Sequence, residues 1–147
     1  MSTKINLYFA KFEVPELKDL DLHVLRLYCD VQFITKDGYT EPYPAIIDTG
    51  APTSLIPQKI WKTSIYSKLK EEYEIQGIVP LRRCSLKVSV GKISGMFIDR
   101  DNHSKEISFV SYLARTDRIP LILGFKDILE KCKIFADYNS KKAYIEF

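Results

Sequence analysis

Histidine and cysteine are scarce in this 147-residue chain, and their scarcity removes several chemistries at once. The two histidines, His23 and His103, stand far apart. Neither is set with serine, cysteine and acid in the triad that a serine or cysteine hydrolase needs. The three cysteines, Cys29, Cys84 and Cys132, are odd in number and widely spaced, with no C-x-x-C pair. They suggest neither a disulfide framework nor a zinc site, and no metal is expected. Cys84 and Cys132 read as buried or idle thiols, Cys29 as a thiol within reach of an interface, and all three suit a reducing compartment. No apolar run approaches a membrane span. The opening MSTKINLYFAKFEVPELKD lacks the long apolar core and the cleavage site of a secretion signal. The expectation is therefore a cytoplasmic protein with no membrane partner. Charge of one sign is also missing. Lys plus Arg number 22 against 19 Asp plus Glu, a net of +3, which is too balanced to argue for nucleic acid. The runs Lys68-Leu69-Lys70 and Arg82-Arg83 read as solvated faces.

What is present is a hydrophobic fraction of 46%, enough to exclude disorder, in a chain of one-domain length. No repeat, linker or low-complexity tract divides it. Tyr, Phe, Val and Ile lean toward strand. Residues 5–12 read as a first strand, broken by Pro15 and the acidic stretch from Glu16 to Asp21. Residues 23–35 read as a longer one, with Leu25, Leu27, Cys29 and Val31 on one face. Asp37-Gly38 is a hairpin turn, and residues 43–47 return from it. Residues 57–72 have a helical pattern, with Ile60, Trp61, Ile65 and Leu69 near one face and Trp61 in the core. Residues 86–90 alternate, Gly91 is expected to turn, and residues 93–98 return. Residues 107–113 and 119–123 follow as strands, residues 126–131 as a short helix, and residues 134–137 and 143–147 as a last hairpin. The fold class is mainly β, with one or two short helices and a closed barrel.

One segment carries chemistry: Ile46-Ile47-Asp48-Thr49-Gly50-Ala51-Pro52-Thr53-Ser54-Leu55-Ile56-Pro57. Two aliphatic residues deliver an acid to a tight turn, where burial disfavours its ionised form. Thr49 can donate a hydrogen bond across an interface, and Gly50 permits close backbone approach. As a bare tripeptide Asp-Thr-Gly often only caps a turn, so the flanks decide. They resemble the active-site loop of the retropepsin family: two hydrophobic residues, DTGA, a hydroxyl residue and an apolar run. Pro120-Leu121-Ile122-Leu123-Gly124, followed by a helix ending at Leu129, resembles the family's later motif. In that family this strand passes beside the acid loop, and its glycine avoids a clash there. The resemblance covers about residues 25–147.

Peptide hydrolysis of this kind needs two carboxyl groups around one water, and the chain has one Asp-Thr-Gly. Asp37, Asp99 and Asp101 read as solvated. The resemblance therefore implies a homodimeric aspartic endopeptidase with Asp48, Thr49 and Gly50 catalytic, one Asp48 from each chain, no cofactor, and a peptide or protein substrate. It also implies a glycine-tipped flap. The first candidate is Glu74 to Val79 with Gly77 at its tip, and the alternative is Val90 to Gly95. Ala51, Ile75, Gln76, Gly77, Ile78 and Ile122 are the expected substrate-binding residues, with Ile46 beside them. Pro52 departs from retroviral members, because proline has no N–H with which to hold a substrate. That departure favours the alternative function, a catalytically silent dimer that binds peptides or serves assembly. Residues 1–147 form one expected domain, in which residues 1–24 are an extension supplying a dimer or edge strand. Phe147, ending the last strand, is a further candidate for the interface.

Overall fold

The computed structural model describes residues 2–75 and 85–147. The chain opens with β1, Lys4–Asn6, and β2, Tyr8–Glu13, and passes through a 3-10 segment, Pro15–Leu20, into the long β3, His23–Thr35. The Asp37-Gly38 turn reverses it, with Gly38 at φ 137°, into the short β4, Gly38–Tyr39, and then β5, Tyr43–Ile47. The acid loop follows, then β6, Ser54–Ile56, and the helix α1, Gln58–Thr63. After it come β7, Tyr66–Ile75; β8, Leu86–Ile98; β9, Ile107–Ala114; and β10, Ile122–Leu123. A 3-10 turn at Leu129–Lys131 leads to β11, Lys133–Asp137, and β12, Lys142–Glu146.

Pairing closes most of these strands into a ring. The order runs β3-β5-β10-β6-β9-β8, and β8 returns to β3 through Asp30↔Ile98 to Phe33↔Gly95. β2 lies beside β3 at one end of the path and β7 beside β8 at the other. The interior is filled by alternate residues: Leu27, Cys29, Val31 and Phe33 from β3, with Ile56, Ile93, Phe97, Phe109, Leu113 and Leu123 facing them. A separate three-stranded sheet, ordered β1-β12-β11, caps the structure. Phe147 exchanges backbone hydrogen bonds with Thr3 of its own chain, and its ring stacks on Phe97 at 4.9 Å.

Four expectations need correction. The helix ends at Thr63 instead of running through residue 72, and residues 66–75 form β7 along the exposed edge of β8. Trp61 and Ile60 are buried as a helical face requires, and the indole N–H donates to the Ala114 carbonyl at 2.7 Å. Ile65 and Leu69 are more than half exposed, so the face stops one turn in. Gly91 does not turn. It lies inside β8, and a Cβ there would stand 2.8 Å from the Ser67 carbonyl, so the missing side chain lets β7 approach. This removes the Val90 to Gly95 flap. The stretch after Gly124 is a turn with a 3-10 end, and Asp127 adopts φ 65° in it. Cys29 has no exposed surface, so it cannot reach an interface from this position.

Candidate active site

β5 carries Ala45, Ile46 and Ile47 into the core, and the chain emerges at Asp48. The acid is half-buried, while Thr49 and Gly50 are exposed. The turn is closed locally: the Ala51 N–H donates to the Asp48 carbonyl at 3.1 Å, and the Gly50 N–H donates to Asp48 Oδ1 at 2.9 Å. That second bond fixes the orientation of the side chain. It also accounts for Gly50, because a Cβ there would lie 3.2 Å from the same oxygen.

The loop is stapled to the chain segment around Gly124. Ile122 and Leu123 pair in parallel with Ile46 and Ile47, and the Asp48 N–H donates to the Leu123 carbonyl at 3.0 Å. Beyond the glycine, the Phe125 and Lys126 N–H groups donate to the Ala51 and Pro52 carbonyls, both at 2.9 Å. The Gly124 N–H donates to Ser54 Oγ at 3.0 Å. A Cβ at Gly124 would meet the Ala51 carbonyl oxygen and the Thr53 carbonyl carbon at 2.7 Å, so the two segments touch only because this residue has no side chain. Pro52, which lacks an N–H, still contributes its carbonyl to the staple.

Asp127 ties the same turn to β9. Its Oδ2 accepts from the Val110 N–H at 3.0 Å, and Lys126 and Lys131 lie 3.6 and 3.5 Å from Oδ1. The Val110 bond, helped by the two lysines, holds this carboxyl below the ordinary aspartate range. A carboxyl with a depressed value contributes its full stability above the unfolded aspartate pKa near 4 and loses it as pH falls through the folded value. Asp127→Asn tolerates the positive φ, so it isolates the charge. The variant keeps an oxygen that can accept the Val110 N–H, so it is expected to cost about 1 kcal/mol at pH 7, the difference between a bond to a charged and to a neutral acceptor. Urea midpoints from pH 7 to pH 3 should converge with those of the parent chain at the acid end. Asp99 is likewise not the simple solvated acid expected. Burial pushes its carboxyl up, but the N–H groups of Asn6, Asp101 and Asn102 outweigh this and hold it low.

Two open hollows flank the acid loop. One, of about 570 Å³, is lined by Asp48 and Thr49 with Ile46, Ile122, Pro120 and residues 24–27 of β3, and by Ile134 and Tyr138 from the terminal hairpin. The other, of about 550 Å³, is lined by residues 49–52 with Phe125, Lys126 and Glu130. Of the residues singled out in the sequence, Asp48, Thr49, Ile46 and Ile122 therefore share one groove, and Gly50 and Ala51 line the other. Ile75 is half-buried at the end of β7, opposite Leu86, and lines neither. Gln76, Gly77 and Ile78 lie outside the described residues, as does Cys84. The β3 edge, Ile134 and Tyr138 were not foreseen. They lie far from the acid in sequence, and no local pattern marks them.

Among the described residues no serine or cysteine triad is assembled. His23 contacts Asp21 at 2.8 Å and His103 Nδ1 lies 3.0 Å from the Ser104 carbonyl, and among the described residues neither is hydrogen-bonded to a thiol or a serine hydroxyl. Burial pushes both thiols up, Cys132 to about 11, so neither is a ready nucleophile at neutral pH. Among the described residues no group of three or more His, Cys, Asp or Glu could hold a metal ion, and no helix is long and apolar enough to cross a membrane.

A ring of strands, with an Asp-Thr-Gly loop bonded to a glycine-bearing strand, defines an aspartic protease fold. Residues 26–135 match the family model of the retroviral aspartyl protease, and the chain belongs to that family. Similar solved structures include a retropepsin-like aspartic protease from Rickettsia conorii, 13% identical over 100% of this chain and 93% of that one, with a TM-score of 0.52. They also include the EIAV protease complexed with the inhibitor HBY-793, 22% identical over 71% of this chain and 86% of that one, with a TM-score of 0.44. No curated protein matches the chain.

Proposed function

We propose that this chain is an aspartic endopeptidase that acts as a homodimer, with Asp48 of each copy on opposite sides of one water. The observation that carries this is the position of Asp48. A single acid is delivered by a buried apolar strand to the floor of an open groove, its oxygen fixed by the Gly50 N–H and its loop bonded to Gly124. One such acid cannot both deprotonate water and polarise a carbonyl, so the second must come from another chain. A two-fold pair is the simplest source, because the same patch then faces itself.

In that pair the two carboxyls share a proton, since both cannot readily ionise at close range. The unprotonated one takes a proton from water as the oxygen attacks the scissile carbonyl. The protonated one donates toward the carbonyl oxygen. Collapse of the tetrahedral adduct then breaks the C–N bond as a proton passes to the leaving amine. Thr49, exposed beside Asp48, is the residue placed to brace one loop against its copy. Turnover is expected at mildly acidic pH, where one proton resides on the pair.

Mixing tests the pairing. Native chain and Asp48→Asn chain, unfolded together and refolded at fixed total concentration, give hydrolysis that falls with the square of the native fraction when only native pairs cut. A linear fall would mean that each chain works alone.

A further inference from the structure

Four consecutive residues of β3, Val24, Leu25, Arg26 and Leu27, line the groove that holds Asp48. Side chains alternate faces along a strand, so sequence neighbours share one groove when it runs along the strand's edge. The pairing agrees. Tyr28 meets Tyr8 of β2 on one edge and Ile46 of β5 on the other. From Arg26 back to His23, β2 continues along its edge, but β5, which ends at Ile47, has passed into the acid loop. Among the described residues no strand takes the vacated edge. Continued by two residues, the register Tyr28↔Ile46 would set Arg26 opposite Asp48. A free strand edge thus starts at the acid and runs away from it, with backbone groups open to a partner strand.

The walls beside this edge are apolar, from Ile46, Pro120, Ile122 and Ile134. Arg26 is the one cation lining the groove among the described residues, and its guanidinium lies 5.9 Å from the centre of the Phe12 ring. It joins no ion pair among those residues, and Asp48 takes its hydrogen bond from Gly50 instead.

We propose that the free edge of β3 receives an extended stretch of the substrate and that Arg26 selects a carboxylate side chain within it. The preferred substrate then combines an Asp or Glu with apolar neighbours. This rests on the hydrolytic reading of the Asp48 groove. Main-chain bonds to a strand edge give affinity without regard to sequence, and side-chain contacts supply the selection. Guanidinium binds carboxylate through two parallel N–H bonds, and apolar walls strengthen that attraction by excluding water. An arginine that merely covers Phe12 would give no preference for charge.

The test uses fluorescein-labelled octapeptides of Ala, Leu, Ile and Tyr, each made with one Glu or one Gln, scanned through every position. Cleavage is followed with the native chain, and binding by anisotropy with Asp48→Asn. At one or two positions the Glu peptide is expected to be favoured roughly tenfold in both readouts. Arg26→Gln brings the Glu-to-Gln ratio to about one, and Arg26→Glu shifts preference toward a Lys-bearing peptide. Equal treatment of Glu and Gln peptides at all positions, or a preference that survives Arg26→Gln, overturns the inference. Cleavage without charge preference would remove this inference and leave the peptidase standing. Arg26-dependent binding without cleavage would do the reverse.

Discussion

Asp48→Asn is expected to lower kcat/KM for any peptide the protein cuts by about a thousandfold or more, the scale lost when a positioned acid–base group is removed. The substitution is nearly isosteric. Asn keeps an oxygen where Asp48 Oδ1 accepts the Gly50 N–H, so the turn should close as before. What disappears is the ability to take or give a proton. In the paired enzyme both copies change, leaving two amides that can hold a water but not activate it. Thermal unfolding should move by only a degree or two, which separates lost chemistry from lost structure. Activity retained within tenfold would take Asp48 out of the mechanism.

Gly124→Ala should show the second large effect, on folding and activity together. The added methyl would sit 2.7 Å from the Ala51 carbonyl oxygen and the Thr53 carbonyl carbon, and 2.8 Å from the Thr53 carbonyl oxygen. All three are backbone atoms in the loop that holds the acid, so no rotamer change relieves the contact. Overpacking of this kind costs about 1–3 kcal/mol, and with no flexible neighbour the upper end applies. For a chain of this size that corresponds to a fall in Tm of roughly 5–10 °C. The relief available is a shift of residues 51–53 away from the strand, which carries Asp48 with them. Misplacement by about an ångström costs near a hundredfold in rate, so activity should fall well below what the folded fraction explains. A variant with unchanged melting and full activity would mean that the two segments do not touch.

The acid loop and its support were legible because their signals are local. The Asp37-Gly38 turn and alternation from Leu27 to Phe33 fixed β3 at residues 23–35, and the returning apolar run placed Asp48 at a strand end. Gly124 was recognisable from its place between an apolar strand and a turn. The region from Tyr66 to Ile75 misled because Ser-Lys-Leu-Lys-Glu-Glu is built of good helix formers. As isolated sequence it favours a helix, but the edge of β8 offers a ladder of hydrogen bonds, and tertiary pairing overrides propensity. Gly91 misled for a related reason. Its lack of a side chain serves the approach of Ser67, a residue two dozen positions earlier, and not a turn. The far wall of the groove was invisible for the same cause. Arg26, Ile134 and Tyr138 share a groove with Asp48 only because β3 runs past the acid and the terminal hairpin folds back over Phe9, whose ring meets Tyr138 edge-on at 5.3 Å. The capping sheet is equally non-local, since β1 pairs with β12 across nearly the whole chain.

The most direct measurement is the number of chains that share one catalytic centre. Purified protein of known concentration, titrated with a tight statine-type transition-state mimic, should lose activity and release binding heat to an end point of one inhibitor per two chains. An end point of one inhibitor per chain would mean that each Asp48 works without its copy, and would contradict the shared dyad.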